Sequence, residues 1–200
     1  MKAVMAHVPS DILEVRRQTG ADRWDEMWEG VIHMPPMPNR RHQDLEGELE
    51  TWLRVFWARP HGNKVYHQIN VAAPGGWPEK NYRIPDIVLL TSERFSIDKN
   101  EYFEGGPTVV IEIRSPDDET YEKFPFYSSL DVQEIWVFDR DTRAPEVYAL
   151  ESGRYVKQEA DRNGWLESQA TKIRLRQAAS DKVTLQFAED ESTSRTLPED

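Results

Sequence analysis

Glu112 stands in the segment PTVVIEIR, a carboxylate within a run of valines and isoleucines. An unpaired ionised carboxylate in an apolar layer costs about several kcal/mol, so this charge must be paired, hydrogen-bonded, turned to solvent or bound to a cation. Asp86 raises the same question, directly after Pro85 and before the apolar run Ile-Val-Leu-Leu. If the two segments are neighbouring strands, the acids meet across a sheet, where like charges repel unless a cation sits between them. Magnesium or manganese suits that place, because a hard divalent ion takes carboxylate and carbonyl oxygens plus water. Such a site polarises a phosphoryl oxygen and acidifies a bound water. Two bases stand near: Arg114, which shares the strand face of Val110 and Glu112, and Lys123, eleven residues beyond Glu112. Plainer readings compete. Asp86 would close a turn after Pro85, and Glu112 would form a structural ion pair with Arg114 or Lys123. A glycosidase acid pair is a further alternative.

These residues need elements to position them. Leu45, Leu49, Trp52, Leu53 and Phe56 recur at spacings of three and four in RHQDLEGELETWLRVFWARPHG, which predicts an amphipathic helix ending before Pro60 and Gly62. It follows the rigid proline loop MPPMPNRR at 34–41 and places His42 and Glu46 one turn apart on one side. Ser10 to Thr19 reads as a polar helix with Ser10 as N-cap. Strands are expected at 64–73, 82–90, 108–113, 134–138 and 146–150, with further short ones at 154–158, 165–175 and 182–187. A helix from about 119 to 130 is expected between the third and fourth, with Pro125 an awkward interior residue. The order implies an α/β (α+β) domain, a mixed central sheet flanked by helices, with a β-rich C-terminal extension. Trp52, Phe56, Trp57, Trp136 and Phe138 are expected in its core.

Composition narrows the chemistry. A chain of 200 residues with 38% hydrophobic content supports one full core, so 1–188 reads as a single domain. Residues 189–200 carry five acids against one base and few large apolar side chains, which predicts a disordered acidic tail. The absence of cysteine removes disulfides, thiolate zinc sites and cysteine nucleophiles, and leaves oxygen ligands for any metal. No run of 18 apolar residues or signal-peptide pattern is present, so a cytoplasmic protein without membrane attachment is expected. The net charge of −11 argues against generic binding to polyanions and leaves local basic patches to do that work.

Asp86 after proline, followed by a strand bearing Glu112-x-Arg114, resembles the PD-(D/E)XK nuclease superfamily. The segments RIPDIVLL and PTVVIEIRSPDDETYEKFPFYSSLDVQEIWVFDRDTRAPEVYAL, the proline loop before His42 and the PGGW at 74–77 more closely resemble the Uma-two family of restriction endonuclease-like proteins. The similarity spans about residues 25–150. It implies a restriction-endonuclease-like core and a magnesium- or manganese-dependent endonuclease acting on nucleic acid, DNA first, as a homodimer where duplexes are cut. Carried over position by position, Asp86 and Glu112 are the metal-binding acids, Ile113 lends its carbonyl, and Glu46 is an additional helix ligand. The strand lysine of the pattern is replaced by Arg114, a poor general base but a fitting phosphate clamp. Lys123 on the next helix takes the role of catalytic base or water-positioner. His42 and Arg83 are expected to contact substrate, with Arg40, Arg41, Lys80 and Arg94 extending a basic patch. The rival expectation is a nuclease-like scaffold that binds nucleic acid or a protein partner without cutting.

Overall fold

The computed structural model describes residues 3–5, 9–178, 181–188 and 190–198. Its centre is a six-stranded sheet in the order Arg154–Lys157, Pro145–Glu151, Glu134–Asp139, Val109–Arg114, Ile87–Leu90 and Lys64–His67. Only Val109–Arg114 and Glu134–Asp139 run parallel, and the crossover joining them carries a short 3-10 turn, Tyr121–Lys123, and the helix Phe124–Ser129. A parallel pair requires such a crossover. A second six-stranded sheet is built from short strands including Glu26–Trp28, Val31–Met34, Asn70–Ala72 and Tyr82–Arg83, and a four-stranded sheet closes the C-terminal end. The expected mixed central sheet with helices and a β-rich extension is therefore present.

Alternation along the central strands separates two cores. Ile87, Leu89, Val109, Ile111, Ile113, Trp136 and Phe138 pack against Leu45, Leu49, Trp52, Leu53 and Trp57 of the long helix and against Ile173, Leu175, Val183 and Leu185 of the C-terminal sheet. Val88, Leu90, Val110, Ile135 and Val137 face the other way, toward Phe126, Tyr127, Val71 and Phe103. Phe56, expected inside, is only partly buried, because the helix widens into a π-helical stretch over Leu53–Ala58 that turns Trp57 and Ala58 inward.

Two expected strands are each divided between sheets. The 64–73 segment breaks at Gln68, whose φ of 49° is left-handed, so Lys64–His67 joins the central sheet and Asn70–Ala72 the second one. The 82–90 segment breaks at Ile84, Pro85 and Asp86, since proline has no N–H for the ladder. Asp86 thus sits where the chain passes from one sheet to the other, and its carbonyl accepts the Gln68 N–H at 3.0 Å.

Other boundaries also move. The Arg40–Trp52 helix continues through Pro60, which lies in the first turn of the Arg59–His61 segment, and stops at Gly62 in the left-handed region. Pro125 likewise occupies a first turn instead of a helix interior. Pro9, not Ser10, caps the first helix, and no side chain bonds there. The disorder expected for 189–200 is replaced over Asp190–Leu197 by a strand paired with Val183–Phe187; residues 189, 199 and 200 lie outside the described residues. The strand is held because Leu197 is buried and Trp52 Nε1 donates to the Thr193 carbonyl at 2.9 Å. Acidic composition alone misses that backbone pairing.

The turn after the crossover helix presses on Gly106, where a Cβ would lie 2.2 Å from the Leu130 carbonyl oxygen. Gly106→Ala is expected to destabilise the protein by about 1–3 kcal/mol, as overpacking against backbone does, and urea unfolding followed by circular dichroism checks it.

Candidate active site

A cavity of about 450 Å³ opens between the proline loop, the start of the long helix and the C-terminal end of the Val109–Arg114 strand. His42, Asp86, Glu112, Lys123 and the backbone of Ile113 all reach it, together with Glu26, Gln68 and Arg140. The sequence therefore brings its main candidates to one place.

Two polar clusters meet at this cavity, with His42, Gln68, Asp86, Glu26, Glu112 and Lys123 in its lining. In the first, Asn39 caps the long helix by accepting the His42 N–H at 3.1 Å, which fixes the first turn. His42 Nε2 then meets Asp86 Oδ1 at 2.9 Å, while Asp86 Oδ2 accepts the Ile113 N–H at 2.6 Å. Burial disfavours the His42 imidazolium, but the charge and hydrogen bond of Asp86 outweigh it and raise its pKa. One turn on, Glu46 is buried; its Oε2 accepts from Gln68 Nε2 at 3.2 Å, and its Oε1 has no hydrogen-bond partner. His67 Nδ1 lies 3.5 Å from that oxygen. Burial, and then the charge of Asp86, push the Glu46 carboxyl above its ordinary value. His42, Glu46 and Asp86 each offer a ligand atom, all within 4.8 Å of one another. A buried carboxylate oxygen lacking a partner beside a second carboxylate is the environment that a cation relieves.

The second cluster centres on Lys123. Its Nζ lies 3.0 and 3.2 Å from the two oxygens of Glu112 and 2.9 Å from Glu26 Oε1. All three side chains are shielded, at 13%, 6% and 5% exposure for Lys123, Glu112 and Glu26. Tyr127 donates to Glu112 Oε1 at 2.6 Å, and Glu26 accepts from Trp28 Nε1 and the Ile84 N–H, each at 2.8 Å. Burial lifts the Glu112 carboxyl above the carboxylate range; Lys123 opposes that lift, and Asp86 and Glu26 add to it. Burial also works against the Lys123 ammonium, yet Glu112 and Glu26 overcome it and hold the group protonated above the ordinary lysine value.

Several expectations change in this geometry. The cation beside Glu112 is the Lys123 ammonium, whereas the oxygen without a hydrogen bond belongs to Glu46, so Asp86 groups with Glu46 and His42 as a set that could ligate a cation and an imidazole joins the oxygens. Lys123, expected as base or water-positioner, is held as a cation between Glu112 and Glu26. Ile113 contributes its N–H to Asp86. Arg114 does not line the cavity: in the parallel pair it stands opposite Asp139 and donates to Asp139 Oδ2 at 2.7 Å. Arg140 is the guanidinium at the wall. Arg83, expected at substrate, is buried, donates to the Met27 and Tyr82 carbonyls, and lies over Trp28 and Phe126 at 4.1 and 4.2 Å. It packs the second sheet against the crossover helix.

The sequence reading missed Glu26, Tyr127, Gln68 and Arg140. Glu26 had one signal, two adjacent acids between Trp24 and Trp28. Tyr127 had none beyond its place one turn after Lys123 on the helix that lies over Glu112.

Residues 13–179 match the family model Uma2, described as "Putative restriction endonuclease". No curated protein matches the chain. Among solved structures, the "putative nuclease belonging to DUF820 from Anabaena variabilis ATCC 29413" is similar, with a TM-score of 0.59 and 19% identity over 73% of this chain and 82% of that one. At that identity the likeness concerns the fold.

Removing the ammonium leaves Glu26 and Glu112 facing each other without compensation. Lys123→Met is expected to cost about 3–5 kcal/mol, and Lys123→Met with Glu112→Gln to recover part of it. Chemical denaturation of the two variants measures both.

Proposed function

The chain belongs to the Uma2 family, and from that premise we propose that it is a divalent-metal-dependent endonuclease of the PD-(D/E)XK type, hydrolysing phosphodiester bonds of DNA in the cavity lined by Asp86, Glu112 and Lys123, with Glu46 beside Asp86. The observation that carries this reading is the buried Glu46 oxygen without a hydrogen-bond partner, beside Asp86. The residues fit the metal. Asp86 and Glu46 offer the carboxylate oxygens that Mg²⁺ or Mn²⁺ takes, and His42 lies within ligand distance while also orienting Asp86. When bound, the ion supplies Lewis-acid polarisation of the phosphate and a more acidic water.

The remaining work falls to side chains already in position. The Ile113 N–H and His42 fix the Asp86 carboxylate from two sides, which limits its reorganisation when a phosphate arrives. Glu112 and Glu26 hold the Lys123 ammonium at the wall, where it can donate to a non-bridging phosphate oxygen and offset developing negative charge. Arg140, whose guanidinium is bound by Asp141, adds a second positive group at the wall. Both bear on substrate approach, since the acids at 117–119 also line the opening.

A second reading has one observation in its favour. Lys123 and Tyr127 already satisfy Glu112, so that acid needs no metal, as in a scaffold that binds nucleic acid without cutting it. Incubation with plasmid and single-stranded DNA separates the two. Cleavage that requires Mg²⁺ or Mn²⁺ and stops with chelator is expected for wild type, falling in Asp86→Ala and Glu46→Gln by at least the roughly 10- to 100-fold typical of lost support around a metal. Binding without metal-dependent cleavage would establish the scaffold instead.

A further inference from the structure

The outer face of the C-terminal sheet holds a second concavity, of about 720 Å³, lined by Trp165, Arg174, Arg176, Gln186, Glu191 and Ser194 along with Asn163. It shares no residue with the first cavity. Along Ile173–Gln177, Ile173 and Leu175 point into the core, so Arg174 and Arg176 both project outward. Their guanidinium carbons lie over the Trp165 ring at 5.0 and 4.4 Å from its centre. Arg174 reaches Asp161 at 3.3 Å with one terminal nitrogen, while its Nε is buried and has no hydrogen-bond partner. Among the described residues no carboxylate pairs with Arg176. Gln186, opposite Arg174 in the adjoining strand, is buried at the floor.

We infer that this face is a subsite for single-stranded nucleic acid, in which Arg174 and Arg176 take a phosphate while a base stacks on the Trp165–arginine platform. This subsite rests on the nucleic-acid reading above. Among the described residues Arg176 has no carboxylate partner, and a phosphate oxygen supplies its guanidinium with an acceptor whose charge is of the right sign. Guanidinium planes and indoles accept bases of any sequence, which suits a site that holds a strand without reading it. In a chain of net charge −11, Asp161 pairs with Arg174 and Glu191 lies in the lining, so Arg176, which no carboxylate among the described residues pairs, is the cation left for a strand. Gln186, Glu191 and Ser194 lie beyond the 13–179 family match, so part of this subsite belongs to the extension.

The test is fluorescence anisotropy with a labelled 20-nucleotide single strand and the full chain in chelator, so that binding is read without cleavage. Arg174→Gln with Arg176→Gln is expected to weaken binding about 10-fold and to lower the slope of log affinity against log salt by roughly 0.7, the release from the one phosphate they hold. Arg176→Lys, which keeps the charge and loses the stacking plane, is expected to fall between. Melting curves must match wild type, and if the double variant unfolds, Arg176→Lys alone carries the comparison. Hydrolysis of bis-p-nitrophenyl phosphate, too small to span both sites, is expected to be equal in wild type and Arg176→Lys. If wild type leaves that ester intact the nuclease reading fails, while the anisotropy result still decides the subsite. Unchanged affinity and salt slope in the variants, equal binding of blunt duplex, or full displacement by polyglutamate would overturn the proposal.

Discussion

An ammonium enclosed by two carboxylates is tolerable in a protein interior only when the charges nearly balance and every remaining lone pair finds a donor. Lys123, Glu112 and Glu26 come close to this condition. Two acids and one base leave an excess negative charge, and the Tyr127 hydroxyl, Trp28 indole and Ile84 N–H spread it over three further donors. Each member arrives on a different element: Glu26 from the second sheet, Glu112 from the central sheet, and Lys123 with Tyr127 from the crossover. The triad thus joins these elements around one side of the cavity.

The opposite side is built by a different device. Asn39 ends the proline loop and starts the helix in one step, and this sets His42 in the first turn and Glu46 in the next. Beneath them the chain changes sheet at Gln68 and again at Ile84 to Asp86, which brings a carboxylate and an amide to the helix face without a loop insertion. Both sides therefore rest on backbone geometry that packing holds, and beside them Glu46 keeps one buried oxygen without a hydrogen bond. A binding site is expected to concentrate its cost in this way.

The strand and helix periods of the sequence identified the central sheet, the long helix and the residues that meet in the cavity, because hydrophobic alternation is local. Asp86, Glu112, Lys123 and His42 were legible as charges set in or beside apolar elements. Their partners were not. Glu26 lies 86 residues from Glu112 in sequence, and nothing in Asp25-Glu26-Met27-Trp28 states which strand it will face. The second sheet was missed for a related reason: its strands are two to four residues long, too short for alternation to register. The acidic end was misread because charge and low hydropathy describe an isolated segment, whereas Thr193 and Leu197 are held by contacts with Trp52 and the neighbouring strand.

The position of the lysine follows from strand register. A cation at position 114 stands opposite Asp139 in the parallel pair, and the 2.7 Å contact between them neutralises it and leaves it outside the cavity wall. Any base there, lysine included, would meet the same acid. The crossover offers another route, since it leaves the end of the Glu112 strand and returns over the same face of the sheet, carrying residue 123 back to Glu112. A side chain eleven positions away therefore reaches a carboxylate that the residue two positions away does not. With the strand position already paired to Asp139, the 3-10 turn of the crossover is where an ammonium can serve this cavity, and Glu26 supplies the second carboxylate that keeps it charged there.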